Sequence, residues 1–146
     1  DFDILHLSCH GDDDGIALCD DTRLSWKEFA ENFVSFGYAP TALVMSTCCG
    51  AATELAEAFK KAKHGPGIIF GSTEPLTYSE YCVAWAILYH QLKTTGVTRS
   101  SAKTALQKIT AVVSNKFVYR RWDDKRSAYL YYPLKGVSYE VSETRG

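Results

Sequence analysis

Apolar positions change their period several times along the chain. Residues 2–8, Phe-Asp-Ile-Leu-His-Leu-Ser, are mostly apolar and β-favouring, which predicts a strand ending at His10-Gly11. Asp12-Asp13-Asp14-Gly15 reads as a polar turn, Ile16 to Cys19 as a short apolar stretch, and Asp20-Asp21-Thr22 as a second turn. Trp26, Phe29, Ala30 and Phe33 recur at helical spacing behind a Ser25–Glu28 capping box, predicting a helix over 26–36 that stops near Gly37 and Pro40. Residues 42–47 form a continuous, largely apolar run, the pattern of a strand covered on both faces. After the turn Cys48-Cys49-Gly50, a stripe of Ala51, Leu55, Ala58, Phe59 and Ala62 predicts a helix over 51–62. Residues 67–71 are a third strand. Thr77 to Glu80 is another capping box, opening an apolar helix to about Leu92, and a further helix runs from about Ser100 to Val113.

The alternation strand–helix–strand–helix–strand–helix predicts an α/β fold, with a mainly parallel sheet and helices on both faces. In such sheets functional groups collect at the carboxyl ends of the strands. The last thirty or so residues differ. Runs at 117–119, 128–132 and 137–141 are β-like and are divided by Arg120 to Asp124, so 114–146 reads as a C-terminal β-like extension of one domain covering 1–146.

Composition narrows the class without naming it. The 146 residues are 46% hydrophobic and 23% charged with a net charge of -1, which suits one globular core and gives no field for nucleic acid. No apolar run approaches the roughly 20 residues that span a bilayer, so no membrane partner is expected. Five cysteines, an odd number with two adjacent, do not suggest a secreted disulfide framework; a reducing, cytoplasmic setting is expected. Because Asp1 opens inside a strand, the chain reads as part of a longer polypeptide, with an upstream segment or regulatory domain as its partner.

The chemistry centres on two strand ends. His10 and Cys48 each follow a predicted strand, so topology puts both at one edge of the sheet. A thiolate attacks a carbonyl, and two devices favour it at Cys48: a nearby imidazole and the start of the following helix. His10 would then protonate the leaving amine. The N–H groups of Gly11 and Cys48 are expected in turns, free to serve as an oxyanion hole. Cys49 is the alternative nucleophile, since a shift of one residue in the strand end exchanges the two. Cys9, Cys19 and Cys82 read as small buried hydrophobes, His6 as structural, and His64 and His90 as solvated or surface groups.

Two other readings stay open. Cys9, His10, Cys19, Cys48 and Cys49 offer zinc-type donors, although no Cys-x-x-Cys pair occurs; no metal and no cofactor are expected. The chain also reads as a non-enzymatic scaffold binding a protein partner through its aromatic C-terminal region. Neither a glycine-rich phosphate loop after a strand nor a Gly-x-Ser-x-Gly elbow is present.

The blocks His6-Leu7-Ser8-Cys9-His10-Gly11 and Leu43-Val44-Met45-Ser46-Thr47-Cys48-Cys49-Gly50 resemble the two catalytic blocks of the caspase-like superfamily of cysteine peptidases. The likeness is greatest to the bacterial CHAT peptidases, relatives of separases, gingipains and metacaspases. Gly71 to Pro75, Ala84 to Leu92 and Ser101 to Leu106 are similar to the later CHAT strand and helices. The resemblance covers roughly residues 3–113. It implies a caspase-like three-layer sandwich whose N-terminal part lies outside this chain, thiol-protease activity on protein or peptide substrates, and a regulated role in bacterial defence. Ser46 stands where many arginine-specific relatives carry a carboxylate. Asp12, Asp13, Asp14 and Glu74 are the candidates for an acidic S1 pocket that selects a basic P1 residue.

Overall fold

The computed structural model describes residues 3–37 and 39–133. Its elements follow in the order β1 (Ile4–Ser8), β2 (His10–Gly11), β3 (Gly15–Ala17), β4 (Arg23–Ser25), α1 (Trp26–Ser35) and β5 (Ala42–Ser46). Then come α2 (Thr53–Ala62), β6 (Ile68–Ser72), α3 (Tyr78–Thr95), α4 (Arg99–Val112), β7 (Phe117–Asp123) and β8 (Ala128–Tyr132). Both expected capping boxes form. The Ser25 hydroxyl accepts from the Glu28 N–H and the Glu28 carboxylate accepts from the Ser25 N–H; Thr77 and Glu80 repeat the exchange at α3.

The main sheet runs β1-β5-β6-β7-β8. β1 pairs in parallel with β5, from Ile4 opposite Ala42 to Ser8 opposite Ser46, and β5 pairs in parallel with β6. The expectation of a mainly parallel sheet needs correction here, because β6/β7 and β7/β8 are antiparallel. The C-terminal runs join the main sheet as two of its strands. Arg120 to Asp123, expected to divide two runs, instead continue β7, and the turn comes after them. Arg120 and Arg121 are buried in this strand, and long apolar stems let such side chains occupy a sheet interior while the cation finds partners. The run at 137–141 lies outside the described residues.

Helices cover both faces of the sheet, and the period of two explains how. Ala42 and Val44 of β5 pack with Ile68 and Phe70 of β6 and with Phe117 and Tyr119 of β7 under α3 and α4. Leu43 and Met45, one residue out of step, pack with Ile69 under α1 and α2, against Phe29, Phe33, Leu55 and Phe59. All four residues Ala42 to Met45 are fully buried, as the unbroken apolar run predicts. Each buried Leu, Met or Ile contributes about 1.5–3 kcal/mol. This two-sided burial holds β5 rigidly, and β5 carries the Cys48 turn at its carboxyl end. Among the described residues, no helix is long and apolar enough to cross a membrane.

A small antiparallel sheet, β2-β3-β4, sits on the carboxyl end of β1. Asp12 shapes its turn: the carboxylate accepts from the N–H groups of Asp14 and Gly15. The Trp26 indole donates to the Asp13 carbonyl (3.0 Å) and the Trp26 N–H to the Asp14 carbonyl (3.1 Å), tying this turn to the first residue of α1.

Candidate active site

The two sequence blocks meet at the carboxyl ends of β1 and β5. The Cys9 N–H donates to the Ser46 carbonyl (3.3 Å), extending the parallel ladder by one step before the chains diverge. Beyond it, His10 and Cys48 line a single open groove of about 480 Å³, with Ser8, Ser46, Thr47 and Tyr81. His10 is exposed and Cys48 half-buried.

Gly11 shows how closely the blocks are pressed together. A Cβ placed on it would lie 2.3 Å from Thr47 Oγ1, 2.9 Å from the Cys48 carbonyl oxygen and 3.0 Å from the Gly15 carbonyl oxygen. Only glycine fits, and its contact holds the His10 backbone against the Cys48 turn. Gly11 was expected in a turn; it lies in β2 instead, opposite Ile16. The ladder nevertheless leaves its N–H unclaimed. The Asp12 N–H donates to the Gly15 carbonyl (3.0 Å), so Asp12–Gly15 is a hydrogen-bonded pair. Antiparallel pairs alternate, so Gly11–Ile16 is a non-hydrogen-bonded pair and the Gly11 N–H points away from β3. The Cys48 N–H also has no hydrogen-bond acceptor among the described residues.

The adjacent cysteines face different surroundings. Cys49 has φ +59°, a left-handed conformation that redirects its side chain relative to that of Cys48. Its thiol is buried and donates to Asp13 Oδ1 (3.2 Å). Burial first, and then the Asp13 carboxylate, push the Cys49 thiol up to about 12, so it stays protonated near neutrality. Cys49 thus stands outside the groove lined by His10 and Cys48, with its thiol turned to Asp13.

The expected helix over 51–62 starts at Thr53, two turns of backbone beyond Cys48: the Gly50 N–H donates to the Thr47 carbonyl and the Ala52 N–H to the Cys49 carbonyl. The dipole of α2 is thus aimed at the Ala51–Thr53 segment rather than directly at Cys48. Arg120 braces this segment from β7. Its Nε donates to the Ala51 carbonyl (2.7 Å), its Nη2 to Thr53 Oγ1 (3.2 Å), and its guanidinium lies 4.9 Å from the Tyr131 ring centre.

The acidic candidates do not line the groove of His10 and Cys48. Asp12 is paired with Arg23, and Glu74 with Lys116 (2.9 Å). Asp14 lines a surface depression between the β2–β3 turn and α2. Asp13 borders that depression and also a second pocket with Thr53, Glu54, Thr73, Arg120 and Arg126, on the far side of the Cys49 turn. Of the remaining cysteines, Cys9 is half-buried, whereas Cys19 and Cys82 are exposed rather than buried, because their segments lie on the rim and on the outer face of α3. All five are free thiols. His6 stacks on Tyr89, which is hydrogen-bonded to its Nδ1 at 2.7 Å, in keeping with a structural role; His64 and His90 are exposed. No group of three or more metal-type donors comes together among the described residues.

Tyr81 and Thr47 line the groove beside Cys48, Ser72 stands behind Tyr81, and none of the three was legible as a site residue. Tyr81 donates to the Thr47 carbonyl (2.9 Å) and its oxygen lies 2.6 Å from Ser72 Oγ. These contacts span 34 and 9 residues of sequence, and no local pattern reports them. The one available signal was the capping box at Thr77–Glu80, which fixes where Tyr81 falls on α3. No protein-family model matches the chain, and no curated protein shows a significant sequence match to it.

Proposed function

We propose that this domain is a cysteine peptidase of caspase-like, CHAT-type architecture, hydrolysing peptide bonds in protein substrates. The observation that supports it best is the joint placement of His10 and Cys48 in one groove, with Gly11 seated on the Cys48 backbone. In this reading Cys48 Sγ attacks the scissile carbonyl and His10 takes up the thiol proton. The N–H groups of Gly11 and Cys48 receive the oxyanion. His10 passes its proton to the leaving amine, and water attacks the thioester to release the acid and restore Cys48. Regulation by a further segment of the parent protein, a cytoplasmic location and a role in bacterial defence belong to the same proposal through the family resemblance.

A basic P1 residue remains the preferred specificity, resting on Asp13 with Glu54 beside it at the pocket behind the Cys49 turn. Asp12 and Glu74 have basic partners of their own. Arg120 and Arg126 border the same pocket, so an acidic P1 is the outcome that would reverse this assignment.

The test is cleavage of fluorogenic peptides with Arg, Lys, Asp or Leu at P1. Cys48→Ala and His10→Ala are each expected to abolish cleavage with unchanged circular dichroism, and Cys49→Ala to retain it. Activity in both Cys48→Ala and His10→Ala would refute cysteine catalysis at this site. A wild-type chain with no unusually reactive thiol would instead favour the scaffold reading.

A further inference from the structure

The proposed oxyanion hole needs the Cys48 N–H to be aimed, and a peptide plane is aimed by whatever holds either of its ends. The Cys48 N–H and the Thr47 carbonyl belong to one planar trans peptide and point in opposite directions. Fixing the carbonyl therefore fixes the N–H. Two donors converge on the Thr47 carbonyl oxygen: the Gly50 N–H at 3.1 Å and the Tyr81 hydroxyl at 2.9 Å.

We propose that Tyr81 is a positioning residue of this site, its hydroxyl holding the Thr47 carbonyl so that the Cys48 N–H stays directed at the substrate oxyanion. The inference rests on the peptidase reading given above.

The placement of Tyr81 is well determined. It stands in the first turn of α3, whose start is set by the Thr77–Glu80 capping box. Its ring is almost wholly buried, edge-on to Phe117 at 5.6 Å and tilted against Trp85 at 6.0 Å. Hydrogen-bond accounting then assigns the protons. A phenol has one O–H to donate, and the Thr47 carbonyl can only accept. The contact with Ser72 must therefore run from the Ser72 hydroxyl to the Tyr81 oxygen. Ser72 is itself fully buried in β6, which orients the phenol from the opposite side. Burial, and after it the charge of Cys48 and its side-chain hydrogen bond with the phenol, keep the phenol protonated across the working range, so the donor persists and the hydroxyl also touches the Cys48 thiol.

Tyr81→Phe removes the hydroxyl and keeps the ring. The readouts are acylation by p-nitrophenyl acetate, cleavage of the best-cleaved fluorogenic peptide, and alkylation of Cys48 by iodoacetamide. Deleting an oxyanion-hole donor outright costs about 10²–10³ in kcat; with Gly50 still in place, we expect a loss of about 10–100-fold. KM should stay within about twofold, because the ground-state carbonyl gains little from this donor. Alkylation develops no oxyanion and reports only the loss of the hydroxyl's contact with the Cys48 thiol, so it should fall markedly less than acylation. Ser72→Ala leaves the Tyr81 donor on Thr47 and should cost less than about threefold in kcat. Equal losses in acylation and alkylation, or equal losses in the two variants, would overturn the proposal by showing only a structural role. Wild-type kcat in Tyr81→Phe would overturn it while leaving the His10–Cys48 reading intact. A wild-type protein neither acylated at Cys48 nor active on any peptide would remove both.

Discussion

Gly11→Ala is the sharpest test of how the two halves of the site are joined. The added methyl would meet three oxygens at 2.3, 2.9 and 3.0 Å, against an ordinary contact beginning near 3.4 Å. Thr47 Oγ1 is on a side chain, but Thr47 is itself buried and has little space to turn. The other two oxygens belong to the backbone at Cys48 and Gly15 and move only with the chain. Relief thus needs β2 to shift by about half an ångström or more from the Cys48 turn, in a region where overpacking costs about 1–3 kcal/mol. That is a five- to 150-fold fall in the folded/unfolded ratio, or a drop in Tm of about 3–9 °C for a domain of this size. Activity should suffer more than stability, since His10 and the Gly11 N–H travel with the shifted strand. Displacements approaching 1 Å cost on the order of 10²-fold in rate. Urea melts and kcat/KM are the measurements. Combining Gly11→Ala with Thr47→Ala should recover part of the stability, because only the closest of the three contacts is removed. A Gly11→Ala protein within about 0.5 kcal/mol and twofold of wild type would show that β2 does not rest on the Cys48 turn.

Cys49 should resist iodoacetamide near pH 8 while the exposed Cys19 and Cys82 react, a difference that peptide mapping by mass spectrometry would read; equal labelling would contradict its burial against Asp13. The same thiol predicts an alkaline weakness. Its pKa is raised on folding from 9.0 to about 12, so its contribution is complete below pH 9 and is lost as pH rises toward 12. Cys49→Ala should flatten the fall of stability across that window, and an unchanged slope would refute the assignment. Arg120→Met keeps the stem but leaves the buried Ala51 carbonyl without its guanidinium donor, so a loss of about 1–3 kcal/mol in urea unfolding is expected. An unchanged midpoint would show that β7 does not brace the segment leading into α2.

Much of this protein is written locally. The unbroken run Ala42 to Met45 announces a strand covered on both sides, because apolar side chains alternating between two faces need two apolar partners. Ser25–Glu28 and Thr77–Glu80 mark helix starts because each pair satisfies backbone donors within a single turn. The placement of His10 and Cys48 at one edge also follows from strand order, since adjacent parallel strands end together. Long-range geometry decided the rest. Nothing local distinguishes Cys48 from Cys49; the left-handed turn at Cys49 and the distant Asp13 carboxylate do. The Asp12–Asp14 run looks like one acidic patch in sequence, yet its members take different partners, because a tight turn sends successive side chains in different directions. Arg120 and Arg121 look like a polar break, and they lie inside a strand because sheet pairing with Ile68 and Ile69 overrides local polarity. Tyr81 reaches Thr47 only through the packing of α3 on β5 and β6, and a contact across 34 residues is set by tertiary structure, which local period and propensity do not encode.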